Sequence, residues 1–154
     1  MSLGKFDIWS TPKLAPLYPE FPIHYKNVQI LTSVYETSPD AIASHLDLPL
    51  KSLNNYVMIH NYYMPEVDGM GIVEETNVMV GVRVTDLAGR EFVGGFSTNL
   101  LISSDVGLAQ GREIHGQPKK LGNTKLSLEN GNIEGKVFRN SDLVSHVTAA
   151  YKSE

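Results

Sequence analysis

The residues of this chain best suited to chemistry are two consecutive lysines, Lys119 and Lys120, which follow Pro118 at the end of a stretch punctuated by Gly107, Gly111 and Gly116. A lysine amine has a reference pKa of about 10.4, so at pH 7 only roughly one in two thousand is neutral and nucleophilic. An apolar wall or an adjacent ammonium penalises the charged form and lowers that value by up to about 3–5 units. A drop to near 7 leaves about half of the amines reactive, a gain on the order of a thousandfold. Consecutive lysines on a proline-anchored turn supply either cause. The same residues also read as a solvated pair on a loop, and composition alone does not decide between the two.

Other common chemistries find less support. The five histidines, His24, His45, His60, His115 and His146, show no spacing that converges on a metal, and there is no cysteine to complete a thiolate site or form a disulfide. Gly69-Met-Gly71 runs directly into Ile72-Val-Glu74, so it lacks the third glycine and the strand-then-helix setting of a dinucleotide loop. Neither a Gly-x-Ser-x-Gly elbow nor a phosphate-cradling Gly-Lys-Ser/Thr is present. The 17 acidic and 13 basic residues are spread along the chain, net charge −4, without a basic run. That distribution argues against nucleic acid or an anionic membrane surface as a partner.

The run Gly111-Arg-Glu-Ile-His-Gly-Gln-Pro-Lys-Lys-Leu-Gly122 resembles the signature of the acetoacetate decarboxylase family, whose members carry Gly-Arg-Glu, a short variable spacer and Pro-Lys-Lys. Weaker similarity runs back through Ser10-Thr-Pro12, Asn27, Val34-Tyr35 and Gly69-Met-Gly71 with Glu75, and forward a little past Gly122. The resemblance implies a mainly β protein, an antiparallel β-barrel or cone around an apolar pocket, in homo-oligomeric assemblies. It further implies a Schiff-base lyase that decarboxylates a small-molecule β-keto acid with neither metal nor organic cofactor, its lysine activated by desolvation or a neighbouring cation as the family is known for. The family's nucleophile lands on Lys119 and the lysine after it on Lys120. An active-site glutamate lands on Glu75, with Glu74 as the register alternative. On a strand these two point to opposite faces, so only one reaches the pocket.

Other positions carry over with changes. The family's substrate-facing arginine position holds Val28 here, and a second acidic position holds His60. Gln117 lies within the signature spacer, and Arg112 and Glu113 belong to the signature as ion-pairing or hydrogen-bonding residues beside the substrate. Val28 and Gln117 make a less cationic pocket, which suits a larger or neutral carbonyl compound. The alternatives to decarboxylation are therefore iminium-based aldol or dehydration chemistry and, from a different class, a non-catalytic carbonyl-binding β-barrel. Family members continue beyond the point matching Glu154, so the expectation is either a short form of the family domain or a cone completed by another subunit.

These side chains need a scaffold, and 154 residues suit a single domain spanning 1–154. The opening Met1-Ser-Leu-Gly-Lys-Phe-Asp-Ile-Trp9 has no apolar signal core, and no stretch approaches 18 consecutive apolar residues. A soluble protein is expected, cytoplasmic by default. Pro12, Pro16, Pro19 and Pro22 forbid a helix and make an extended lead-in. Val28–Thr37, with its β-branched and aromatic residues, reads as a strand. Ser38-Pro39-Asp40 then supplies an N-cap, a first-turn proline and a first-turn acid for a short helix through Leu46. Further strands are expected over Tyr56–Tyr63, Val73–Val84, Glu91–Leu101, Lys125–Glu129, Ile133–Arg139 and Leu143–Tyr151. Turn chemistry separates them at Pro65–Gly71, Leu87–Arg90, Asn130-Gly131 and Asn140–Asp142. Within Val78–Val84 the alternation sets Val78, Val80, Val82 and Val84 against Met79, Gly81 and Arg83.

Overall fold

A computed structural model describes residues 17–151. The lead-in prolines Pro12 and Pro16 and the Ser10-Thr-Pro12 similarity lie outside the described residues. No helix among those described is long and apolar enough to cross a membrane.

The fold is built on one large sheet and one small one. A two-residue β1 (Tyr25–Lys26) and β2 (Gln29–Glu36) both pair with the long β3 (Lys51–Val67), which turns back through β4 (Gly71–Thr85) to β5 (Glu91–Ile102), all antiparallel. A helix, labelled α2 (Asp105–Glu113), then carries the chain over to β6 (Lys119–Leu121), which pairs with β5 in parallel. The small sheet is the antiparallel meander β7 (Asn123–Glu129), β8 (Asn132–Arg139) and β9 (Asp142–Ala150). The short α1 (Pro39–Ala43) follows β2, and its N-cap Ser38 accepts a hydrogen bond from the Ala41 N–H at 3.2 Å. The Asn130-Gly131 hairpin has both central residues at positive φ, 51° and 74°, which is the backbone its two-residue turn demands.

The expectation of an antiparallel sheet throughout needs correction here. The large sheet is mixed rather than antiparallel throughout, because a helical crossover brings β6 beside β5 in the same direction. Among the described residues the two sheets do not close into a barrel or cone: the strand orders are open, β1-β3-β4-β5-β6 with β2 also on β3, and β7-β8-β9. The stretch around Gly107 and Gly111, read from the sequence as loop, is helix α2. Glycine disfavours a helix interior by roughly 1 kcal/mol relative to alanine. Close packing outweighs that preference, since a β-carbon on Gly107 would stand 2.7 Å from Ile102 Cδ1.

The part of the large sheet around β3, β4 and the end of β5 is covered on both faces, and strand alternation sorts its residues between them. On one face Val57, Val80 and Val82 pack against Ile42 of α1, in line with the Val78–Val84 alternation. Further along that same face Asn61, Thr76 and Leu101, which lie opposite one another on β3, β4 and β5, meet the small sheet. The second face carries Met64, Val73 and Ile102 beneath α2 and Ile23. It positions the site described below.

Where the sheets meet, Asn61 is 2% exposed and accepts a hydrogen bond from the Thr76 hydroxyl at 3.0 Å. Gly135 of β8 lies directly against it, and a β-carbon there would stand 2.6 Å from Asn61 Cγ. Asn61 is buried in a sheet, so it has nowhere to retreat. Gly135→Ala should therefore force the sheets apart and destabilise the protein by about 1–3 kcal/mol, as overpacking does. Thermal unfolding is the measurement, with Gly94→Ala as the neutral control because its added β-carbon meets nothing within 4 Å.

Candidate active site

The register of four strands assembles the site. His60 of β3, Asn77 of β4, Leu100 of β5 and Lys119 of β6 form one cross-strand row, and Tyr62, Glu75, Ile102 and Leu121 form the next. Residues paired across a sheet share a face. Lys119, Glu75, Asn77 and Tyr62 therefore stand on the same side, beneath α2. They line a cavity of about 350 Å³ with Met64, Met70, Val73 and Ile102, while Gln110, His115 and Gln117 line it from α2 and the turn after it. The apolar pocket implied by the family resemblance is half polar here. Met64, Val73 and Ile102 come from strand ends and Met70 from the turn between β3 and β4, while Glu75, Asn77, Gln110 and Gln117 share the lining with the lysine.

Lys119 Nζ lies 2.7 Å from Glu75 Oε2, and the two side chains are only 12% and 13% exposed. Lys119 spans the width of β5 to reach that partner, so its stem must lie close to the α2 backbone. Gly111 makes the space: a β-carbon there would stand 2.4 Å from Lys119 Cδ and 2.5 Å from Cε. Backbone hydrogen bonds fix the segment, with Gln117 N–H donating to Gly111 O at 2.9 Å and Lys119 N–H to Gln117 O at 2.8 Å. Arg112 adds a third tie by donating from Nη1 to the Lys119 carbonyl at 3.1 Å. The phenols of Tyr25 and Tyr62 are both pushed above the usual tyrosine range, first by burial and then by the nearby Glu75 charge. A hydrogen bond from the Gln110 side chain acts in the opposite direction on Tyr25.

The structure separates the other residues singled out from the sequence. Lys120 pairs with Leu101 on the opposite side of the sheet from Lys119 and is exposed. Glu74 points away from the cavity, where its carboxylate accepts from Leu126 N–H at a long 3.4 Å. Val28 immediately precedes β2, is 39% exposed and does not line the cavity. His60, on the same strand as Tyr62 and Met64, does not line the cavity; its Nδ1 lies 2.9 Å from the Thr32 hydroxyl, and burial holds its pKa below the usual histidine value. Glu113 ends α2 on the exposed side, and Arg112 acts on the Lys119 backbone rather than on the cavity. Gln117 does line it.

Tyr25, Tyr62, Asn77 and Gln110 went unnoticed in the sequence, and His115 was weighed there only as a metal ligand. Asn77 had a usable signal, since two residues beyond Glu75 on a strand must share its face. Gln110 lies three residues after Gly107, one helical turn on, but that spacing means nothing until α2 is recognised.

A model of the acetoacetate decarboxylase family matches residues 9–154. The chain belongs to that family. Acetoacetate decarboxylase 1 of Bradyrhizobium diazoefficiens is 29% identical over 144 residues, covering 94% of this chain and 56% of the relative. Acetoacetate decarboxylase of Clostridium beijerinckii is 28% identical over 145 residues, with 94% and 57% covered. The crystal structure of acetoacetate decarboxylase from Legionella pneumophila matches with a TM-score of 0.83 at 29% identity, over 96% of this chain and 57% of that one. This acetoacetate decarboxylase family chain thus spans a little over half the length of the relatives it matches.

Two predictions follow from the geometry. Gly111→Ala should drive the Lys119 stem out of its groove and away from Glu75, lowering the reactivity of Lys119 toward carbonyl compounds by up to about 100-fold, the scale of a 1 Å misplacement. Rates of amine modification resolved by peptide mapping, with circular dichroism to verify the fold, measure this. The second concerns Glu74, whose carboxyl is raised chiefly by burial against the weaker opposing effects of Leu126 N–H and Lys125. Its stabilising contribution is complete below the ordinary glutamate range and is lost as pH rises through the raised value. As pH rises above the ordinary glutamate range, urea midpoints of Glu74→Gln should gain on those of the native protein.

Proposed function

We propose that Lys119 forms an iminium with the ketone of a small β-keto acid and that the chain's chemistry is decarboxylation through that adduct. The observation that carries this reading is the 2.7 Å contact between Lys119 Nζ and Glu75 Oε2 at the wall of the cavity. Membership of the acetoacetate decarboxylase family and the names of its relatives support it.

The steps use groups already in place. The Lys119 ammonium gives one proton to Glu75, in hydrogen-bond reach, and the neutral amine attacks the ketone carbon while a second amine proton passes to the ketone oxygen, giving the carbinolamine. The proton held by Glu75 then goes to the carbinolamine hydroxyl, which leaves as water and gives the iminium. Carbon dioxide departs with cleavage of its bond to the α-carbon, and the electron pair moves into the iminium to form an enamine. Protonation at that carbon and hydrolysis release the ketone and restore the amine. A cone-like enclosure completed beyond the described strands is part of this proposal, because excluding water strengthens every electrostatic interaction in the site.

A specific observation favours a second reading. Among the described residues no arginine lines the cavity, so a substrate carboxylate lacks the bidentate partner it would ordinarily find. Aldol or dehydration chemistry on the same iminium does not need that partner.

Sodium borohydride reduction in the presence of acetoacetate or pyruvate, followed by intact mass and peptide mapping, tests the proposal. The expected label is on Lys119, lost in Lys119→Met with little change in fold. A label on Lys120, or none with any carbonyl compound, overturns it. Product analysis then separates ketone and carbon dioxide from carbon–carbon bond formation.

A further inference from the structure

The cavity contains more hydrogen-bonding capacity than the amine and carboxylate need. Asn77 is 8% exposed, lines the cavity, and carries an Oδ1 that is sealed from solvent and has no hydrogen-bond partner. It lies two residues from Glu75 on the same face of β4 and in the same cross-strand row as Lys119. Buried amides are nearly always paired, so a free one at the wall of a cavity marks a contact the protein does not itself supply. The terminal torsion of asparagine is broad, which lets either end of the amide turn toward a ligand. A second amide, Gln117, flanks Lys119 on its other side, its Oε1 2.9 Å from where a Gly111 β-carbon would stand. Gln110 also lines the cavity, beside the Tyr25 phenol whose rise in pKa it opposes.

We propose that this cavity selects a ketone or keto acid bearing a hydroxyl group beside its carbonyl, the hydroxyl being read by Asn77 and Gln117. The inference rests on the reading of Lys119 as the iminium-forming amine and names the substrate class of that site. A carboxamide offers a donor and an acceptor on one planar head, and a hydroxyl is both acceptor and donor, so the two match in either orientation. An alkyl substituent would desolvate both amides without pairing them, which is unfavourable. A cavity of about 350 Å³ is at the small end of ligand sites and suits a compound of a few carbons.

The test uses pairs that differ by one hydroxyl: acetoacetate against 4-hydroxyacetoacetate, and pyruvate against 3-hydroxypyruvate. Half-saturating concentrations for borohydride trapping are read by intact mass and normalised to trapping of the same compounds by free N-acetyl-lysine. The hydroxylated member of each pair is expected to saturate at a roughly tenfold lower concentration, the effect of one unmade buried hydrogen bond. Asn77→Leu should bring that ratio close to one, with Gln117→Leu as the second variant should Asn77→Leu not fold. Equal saturation within the pairs, or a ratio that neither variant changes, overturns the inference and leaves the iminium reading intact. If nothing is trapped, the iminium reading falls on its own. Titration calorimetry of the same pairs on Lys119→Met then decides the hydroxyl preference without a covalent step: a preference that Asn77→Leu removes supports it, and no preference overturns it.

Discussion

An amine and a carboxylate 2.7 Å apart and almost sealed from water set the terms for the rest of this structure. Desolvating either charge alone is strongly unfavourable, so each needs the other, and they come from strands that are not neighbours. Glu75 on β4 and Lys119 on β6 meet only across the full width of β5. That requires the parallel pairing of β6 and hence the crossover helix. It also requires a helix surface low enough to admit the lysine stem, which Gly111 provides.

Around this pair the sheet is covered on both faces. On its far side Asn61 accepts from Thr76 and lies directly against Gly135, so this part of the large sheet is clamped between helix and small sheet. Such clamping makes the register of β4 unambiguous, because a one-residue slip would exchange Glu75 with Glu74 and Asn77 with Thr76. The half-polar character of the cavity follows from the same alternation: the face that must carry Glu75 carries Asn77 as well.

Most of the strands were legible in the sequence, because β-branched alternation and turn residues such as Asn130-Gly131 are local signals. The helix after β2 was legible for the same reason, through its Ser38 cap. What escaped was non-local. Helix α2 hid behind glycines whose purpose becomes visible only when Ile102 and Lys119 are packed against them, and β6 is three residues long, too short to show any period. At the site, Lys119 was found through the family signature, and strand alternation confined the choice to Glu74 or Glu75 without making it; the register of β3, β4 and β5 made it. Val28 and His60 lie outside the cavity wall, and Arg112 supports the Lys119 backbone. No one-dimensional pattern carries those positions.

The paired lysines have a consequence for how the chain reaches its native state. Lys119 and Lys120 are chemically identical and sit on opposite faces of a strand only three residues long, so a shift of β6 by one residue would still present a lysine to the cavity. Side-chain identity offers no discrimination against this near-miss. The discrimination comes from what flanks the strand. Arg112 grips one particular carbonyl, Gly122 N–H donates to Ile102 O at 3.0 Å, and a β-carbon at Gly122 would crowd Leu101 at 3.1 Å. Choosing which lysine faces the cavity thus belongs to the residues around them, and a chain that loses those anchors is left with two near-equivalent alignments instead of one.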